Sequence, residues 1–321
     1  MALVPTLKTW MLVVPALALL GVVGYRASDR VLHAQQAVAA SPEMAQAVGG
    51  GAQVPVEAEQ LARRLLGSER GTAIASGLPL DIRADIEGDT DLFAYAQRLK
   101  QQAANGNAEA AWMVSRVYDY CAMYAMDPGG YQFDNTLLAG LGMRASTSMV
   151  QARERVSRRC AGFVSSDNLG RQLILTQRQQ AAGAGNLAAE ASLFAEGHAL
   201  EPSADYRRGL VERVMESRDP EAYMALAPGM GQRASGDNAM QGLVAGDQFS
   251  ELAWRLAACE LGMACGADSM LMNNFCANGG ICSADGEQDF ATFVYDAAVS
   301  RQGAGKMKTL VEELIKLRNG R

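Results

Sequence analysis

The six cysteines are the residues whose type and spacing carry the clearest chemical signal. Four of them form one block with the spacing Cys-x5-Cys-x10-Cys-x5-Cys, made up of Cys259, Cys265, Cys276 and Cys282. Zinc sites usually hold their paired ligands roughly two to four residues apart, and thiol oxidoreductases use a Cys-x-x-Cys motif. The block matches neither pattern, so it predicts structural disulfides.

A hypothesis about the helices of this block favours one pairing. If residues 252–259 and 270–276 form an antiparallel hairpin, Cys276 lies at the far end from Cys259, because a helix rises about 1.5 Å per residue. Their Cα atoms are then farther apart than the ~7 Å that a disulfide allows. The favoured pairs are Cys259–Cys265, Cys276–Cys282 and, from the two cysteines that remain, Cys121–Cys160.

Histidine offers little further chemistry, since the chain contains only His33 and His198. His198 follows Glu196 closely, but no serine or cysteine nucleophile motif accompanies it, and we expect it in a turn. The sequence contains no phosphate loop and no dinucleotide fingerprint. The acidic stretch 285–289 lacks the alternating ligands of a calcium loop and is predicted to begin a helix. The sequence therefore assigns no catalytic, cofactor-binding or metal-ligating residue.

Four arginines lie close together on one predicted helix that also contains Glu154: Arg153, Arg155, Arg158 and Arg159. We expect a solvated face here, and the alternative is a face that binds phosphate or glycan. The chain as a whole carries a formal net charge of -6, so it lacks the basic stripe typical of nucleic-acid binding, and no nucleic acid is expected as a partner.

Composition bounds the fold class. The chain has 321 residues, of which 49% are hydrophobic and 6% aromatic. This hydrophobic content is enough for a sizeable core. Abundant alanine with few aromatics suits closely packed helices better than a β-sandwich or barrel, and the prediction is an all-α fold.

The N-terminus predicts the compartment. No charged residue occurs from Thr9 to Tyr25, a run of seventeen residues that is short for a spanning helix and long for a signal peptide. Residues 25–28 are a poor cleavage site, which favours an uncleaved signal-anchor over a cleaved signal peptide or a buried core helix. All six cysteines follow this segment, and an oxidising compartment on that side explains their even number. We expect a single pass through the cell inner membrane, with residues 9–25 in the bilayer and most of the chain in the periplasm.

The composition shifts along the chain predict three regions. Residues 1–30 form the signal-anchor, and residues 31–54, rich in Ala, Gln, Gly and Ser, form a flexible linker. Residues 55–321 form an all-helical domain, with a repeat-like part at 55–230 and a Cys-rich part at 231–321.

A helix–turn–helix pattern recurs in the repeat-like part. Residues 103–107 read Ala-Ala-Asn-Gly-Asn, and a related stretch begins at Ala181 with its turn at Gly185. A third, degenerate copy begins at Asp219. The pattern resembles the Sel-type (Sel-one-like) repeats, relatives of the tetratricopeptide repeats. The resemblance covers about residues 89–230, and it identifies these repeat-packing residues: Ala104, Gly106, Ala110, Trp112, Tyr118, Gly185, Ala189 and Leu193.

The spacing of the turns indicates an irregular array. The turns of the second and third copies are 33 residues apart, which matches an α-solenoid period, whereas the turns of the first two copies are 79 residues apart. At least one intervening pair of helices has therefore diverged or is irregular. We expect an irregular α-solenoid of helical hairpins stapled by disulfides, and the alternative is an Ala-rich helical bundle without a true repeat.

These features favour an interaction protein, a scaffold or adaptor whose stacked helices present a concave surface to a protein or peptide. One alternative is a periplasmic hydrolase of the cell wall with two carboxylates that the sequence does not assign. The other is an inhibitor or immunity-type protein. The sequence implies no cofactor and gives no oligomeric state.

Overall fold

The structure, a computed structural model, describes residues 82–316. Within this range the chain forms twelve α-helices and no β-strand. The helices are α1 (Leu92–Ala104), α2 (Ala108–Met126), α3 (Pro128–Gly140), α4 (Arg144–Arg159), α5 (Arg171–Gly183), α6 (Leu187–Ala195), α7 (Ala204–Ser217), α8 (Pro220–Met230), α9 (Gln248–Glu260), α10 (Met270–Asn273), α11 (Phe290–Ala298) and α12 (Ala304–Ile315). A π-helical turn, Asn274–Asn278, continues α10. The prediction of an all-α fold is confirmed for these residues.

The predicted anchor and linker, and the start of the predicted helical domain, lie outside the described residues. In residues 82–316 we find no helix that combines the length and the hydropathy of a membrane span. These residues belong to one compact unit.

The helices pack as a row of hairpins. Helix α1 packs on α2, α2 on α5, α5 on α6, α6 on α8, α8 on α9 and α9 on α12. The core runs along this row, and its largest buried side chains include Trp254 and Tyr223, whose ring centroids are 4.9 Å apart.

Three helices of the row begin in the same way. The side chains of Asn107, Asn186 and Asp219 accept hydrogen bonds from backbone N–H groups in the first turns of α2, α6 and α8. The residue three positions after each cap is an alanine with no exposed surface: Ala110, Ala189 and Ala222. Small side chains at such positions let helices approach one another closely. Ala110 and Ala189 are two of the residues for which a packing role is predicted.

Glycine closes the two turns that the sequence singles out. Gly106 follows α1 with φ +89° and Gly185 follows α5 with φ +94°, a conformation that side chains with a Cβ rarely adopt. After each glycine, a backbone N–H donates back into the helix, from Asn107 to the Gln102 carbonyl at 3.1 Å and from Asn186 to the Ala181 carbonyl at 3.0 Å. These are the bonds of a Schellman motif, which reverses the chain after a helix.

One predicted packing residue needs correction. Ala104 is exposed, and its neighbour Ala103 is buried instead. Successive helical residues point about 100° apart, so only one of the two alanines can face the core. Trp112, Tyr118 and Leu193 are buried.

The long interval between the first two turns has a specific structural cause. Helix α2 packs directly on α5, whereas α3 and α4 pack against each other. We call this α3–α4 hairpin the insert. The Cys121–Cys160 disulfide closes it, joining α2 to the residue after α4 across 39 residues. The first two turns are 79 residues apart instead of 33, and the insert accounts for most of the additional residues. The pair of helices that we expected to have diverged is therefore an extra hairpin, which packs beside the row and not within it.

The predicted solvated arginine face is wrong for two of its four members. Arg153 and Arg159 are buried. Arg153 donates from Nε to Asn135 Oδ1 at 2.6 Å, and its guanidinium lies 3.6 Å from the centre of the Tyr131 ring. Arg159 donates to the Ile86 carbonyl. Aromatic rings and backbone oxygens thus replace water around these side chains.

The cysteines are joined in the three favoured pairs. Residues 252–259 and 270–276 do not form the expected antiparallel hairpin, however, because α10 and its π-helical turn pack on α4. Each short disulfide instead closes a local loop of sequence separation six, one after α9 and one within the π-helical turn and the loop after it. Local loop closure is therefore sufficient to explain these two pairs.

The length of the loop that each disulfide closes predicts how strongly that disulfide stabilises the fold. Replacing Cys121 and Cys160 together with alanine should lower the free energy of unfolding by about 4 kcal/mol, against about 2 kcal/mol for Cys259 and Cys265, because the longer loop restricts the unfolded chain more. Urea unfolding of the full-length oxidised chain measures both. Equal losses for the two double variants would contradict this prediction.

Candidate functional site

A cleft of about 290 Å³ opens where the row of hairpins meets α10. Helices α2, α6 and α8 form one side, and α9, α10 and the π-helical turn form the other. Its apolar lining includes Trp112, Met224, Met263, Met270, Leu271 and Phe275. The remaining lining includes three arginines and three carboxylates, so the cleft combines apolar surface with paired charges.

Helical spacing places the functional side chains of α2 in the cleft. Trp112, Arg116 and Asp119 are four and three residues apart, a spacing that puts side chains on one face of a helix. The cap at Asn107 fixes where α2 begins and therefore which face this is. Helix α8 contributes Glu221 and Met224 by the same three-residue spacing.

Glu221 is the most buried acid of the cleft, with its side chain only 6% exposed. It accepts a hydrogen bond from Trp112 Nε1 at 3.3 Å and forms an ion pair with Arg116. Burial raises the pKa of the Glu221 carboxyl, although Arg116, Arg83 and Trp112 act in the opposite direction. A carboxyl with these partners holds α2 and α8 together inside the cleft wall.

Arg178 connects three helices on the other flank of the cleft. Its Nη2 donates to Asp119 Oδ2 at 2.8 Å, and its Nη1 donates to Glu196. The side chain is buried, and its Nε has no hydrogen-bond partner among the described residues. Arg178 thereby joins α5, where it lies, to α2 and to the end of α6.

Two guanidinium groups of the cleft face sulfur atoms. Arg116 Nη2 lies 3.7 Å from Met270 Sδ, and Arg255 Nη1 lies 3.8 Å from Met224 Sδ. Each of these arginines also binds a carboxylate, Arg255 through Glu251 at 2.8 Å. A thioether is a weak acceptor, so these two N–H groups keep the capacity to donate to an oxygen of a ligand.

A second polar cluster fixes the first turns of the same helices. Arg83 donates to Glu109 Oε1 at 2.6 Å and to Asp219 Oδ1 at 2.5 Å. Asn186 donates to Glu109 Oε2 at 2.8 Å. The beginnings of α2, α6 and α8 are therefore tied together, and the cleft wall is a positioned surface.

Sequence analysis located only part of this site. Trp112 lines the cleft, whereas the six cysteines do not, except that Cys259 and Cys265 flank the loop containing Met263. His198 is exposed in the turn after α6. The pairing of Arg116 with Glu221 was missed, because it joins residues 105 positions apart. Among residues 82–316, no group of three or more His, Cys, Asp or Glu side chains is arranged to hold a metal ion.

Comparison of the chain with protein-family models, with curated proteins and with solved structures finds no match in any of the three. The class that the fold defines is that of an all-α protein built of helical hairpins. Its described residues contain three disulfides, of which one joins α2 to the end of the insert and two close local loops.

Burial of Glu221 predicts a specific pH dependence of stability. The ordinary pKa of its carboxyl is 4.5, and the folded chain raises it. The folded state then binds the proton more tightly than the unfolded state, so this group destabilises the fold as the pH rises from 4.5 through the raised pKa. Across that interval, the free energy of unfolding of the wild type should fall relative to that of Glu221→Gln, which has no proton to lose.

Asp247→Asn is the matched control, with the opposite sign. Burial opposes the shift, but hydrogen bonds from Ser250 and the charge of Lys306 lower the pKa of Asp247 below 3.8. The wild type should lose stability relative to Asp247→Asn as the pH falls below 3.8. Urea unfolding across both pH intervals measures the three proteins, and parallel curves for the wild type and Glu221→Gln from pH 4 to 8 would refute the assignment.

Proposed function

We propose that this protein is an extracytoplasmic interaction protein whose cleft binds a short segment of a partner protein. The observation that carries the proposal is the pair of arginine N–H groups that face thioethers beside an apolar lining. A carboxylate or carbonyl oxygen of a ligand is a much stronger acceptor than a thioether. A peptide with an acidic group next to an apolar side chain would satisfy both features.

The size of the cleft also supports a short peptide segment as its ligand. At about 290 Å³, it lies just below the range of roughly 300–1,000 Å³ that is usual for small-molecule sites. That volume accommodates one or two side chains. The methionines of the lining adapt readily to the shape of an apolar group.

The disulfides support an oxidising compartment. All six cysteines are paired, and such bridges are rare in reducing cytosol. We propose in addition that residues 9–25 anchor the chain in the cell inner membrane as a single span, with most of the chain in the periplasm. The proposed anchor would place the cleft within reach of envelope proteins.

We also retain the proposal that the hairpins are Sel-like repeats in an irregular solenoid. Its support is the common start of α2, α6 and α8: a side-chain cap and, three residues later, a fully buried alanine. Repeats of this kind stack on their neighbours and present extended surfaces.

A cell-wall hydrolase is the second candidate, and Glu221 is the observation that favours it. A buried carboxyl with a raised pKa inside a cleft is what a general acid requires. Asp119 and Glu196 line the same cleft and are its remaining acids. The ion pair with Arg116 gives Glu221 a structural role, however, and the interaction protein is the function that we favour.

Peptide selection tests the proposed function. A displayed library of random peptides is selected on the full-length oxidised chain, and the selected peptides are measured against Arg255→Gln. We expect sequences that place a carboxylate beside an apolar residue. Their affinity should fall about tenfold or more in Arg255→Gln, because a hydrogen bond to a charged group is lost.

Lys308→Gln is the matched control, since Lys308 is exposed on α12 and away from the cleft. It should leave the affinity unchanged. Failure to select any peptide, or equal binding to Arg255→Gln and the wild type, would refute the proposal. Release of soluble fragments from purified cell wall by the wild type, and not by Glu221→Gln, would instead favour the hydrolase.

A further inference from the structure

The outer face of the insert is apolar and exposed. Phe133 and Leu137 lie on α3 and Leu141 directly follows it, at four-residue spacing, and the three are 63%, 56% and 57% exposed. This spacing aligns their side chains in one ridge. On a surface helix of a water-soluble protein, such a ridge normally faces the hydrophobic core.

A groove of about 360 Å³ lies next to this ridge. Its lining includes Leu138, Leu141, Met143, Met149 and Ile281 and is largely apolar. Met143 and Ile281 are themselves 58% and 55% exposed. We call Phe133, Leu137, Leu141, Met143 and Ile281 the insert patch.

Covalent and hydrogen bonds fix the position of the insert patch. Ile281 lies in the loop that the Cys276–Cys282 disulfide closes, so a covalent bond holds it next to the groove. Arg153 joins α4 to α3 through Asn135. The π-helical turn packs on α4, and Asn278 donates from this turn to the Tyr120 carbonyl at 3.3 Å. The ridge and the groove are therefore held in a defined relation to each other.

The size of the insert patch matches what a pair of chains requires. Five large side chains, each more than half exposed, leave on the order of 500 Å² of apolar surface. Contiguous patches of several hundred Å² often mark interaction sites. A standard interface takes about 800 Å² from each partner, and roughly 65% of a homodimer interface is apolar. The patch supplies about that apolar share.

We propose that the insert patch is the contact face between two copies of this chain. A two-fold axis brings the same surface of both copies together, so the ridge of each copy can enter the groove of the other. Asp134, beside Phe133, and Arg144, beside Met143, are exposed charges of opposite sign at the border of the patch. The border therefore carries charges of both signs, and this pairing buries both ridges at once.

Photo-crosslinking of the full-length oxidised chain tests this pairing. With p-benzoylphenylalanine in place of Leu137, irradiation should give a product of twice the 34.1 kDa mass of the chain, and its crosslinked peptides should all derive from this sequence. The same substitution at Leu200, which is 49% exposed in the turn after α6, is the matched control and should give no such product.

Placing a charged residue in the insert patch tests how strongly the two copies bind each other. Sedimentation equilibrium should show a dimer of the wild type that Leu137→Asp weakens by at least about 100-fold, because the aspartate would be buried without a partner. Leu200→Asp should have no effect. Position 137 is exposed, so circular dichroism should show an intact fold for Leu137→Asp, and any association through residues 9–25 would survive in that variant.

Three results would overturn the proposal. They are an undiminished dimer of Leu137→Asp, a monomeric wild type, and crosslinks from position 137 only to lipid or to other proteins. The insert patch shares no residue with the lining of the cleft, so peptide binding in the cleft does not bear on this result.

Discussion

Close contact between helices at alanine positions is the constraint on which the other features depend. Ala110, Ala189 and Ala222 have no exposed surface at the starts of α2, α6 and α8. A larger side chain at any of them would push neighbouring helices apart, since protein interiors are packed as tightly as organic crystals. The polar contacts of the cleft, from Arg116 to Glu221 and from Arg178 to Asp119, need this close approach because hydrogen bonds tolerate little lengthening.

The three disulfides hold different parts of the structure in place. Cys121–Cys160 joins α2 to the residue after α4 and so ties the insert to the row, while α5 packs directly on α2. The two short disulfides hold loops next to surfaces that we assign to binding, Cys259–Cys265 beside the cleft and Cys276–Cys282 beside the groove of the insert patch. Formation of these two disulfides therefore shapes both proposed surfaces. Both surfaces thus depend on an oxidising compartment.

Local features of the sequence predicted much of the fold. The turns at Gly106 and Gly185 and the buried Ala110 and Ala189 follow from patterns within a few residues. The two short cysteine pairs were predicted from a helical hairpin that does not form, and Cys121–Cys160 was predicted as the pair that remained. Long-range features did not follow. The insert was interpreted as a diverged member of the array, because one sequence does not reveal that α2 packs on α5. The cleft depends on contacts such as Arg116 with Glu221, which no local pattern predicts. Arg153 and Arg159 were misassigned to solvent because their partners, including the Tyr131 ring and the Ile86 carbonyl, come from distant segments.

Unfolding of two leucine variants tests the alanine packing most directly. Ala189→Leu introduces three extra carbon atoms at a fully buried position, whereas Ala104→Leu introduces them at an exposed one. The account predicts that Ala189→Leu loses about 1–3 kcal/mol of unfolding free energy in urea, and that Ala104→Leu stays within about 0.5 kcal/mol of the wild type. Equal stability of the two variants would contradict it.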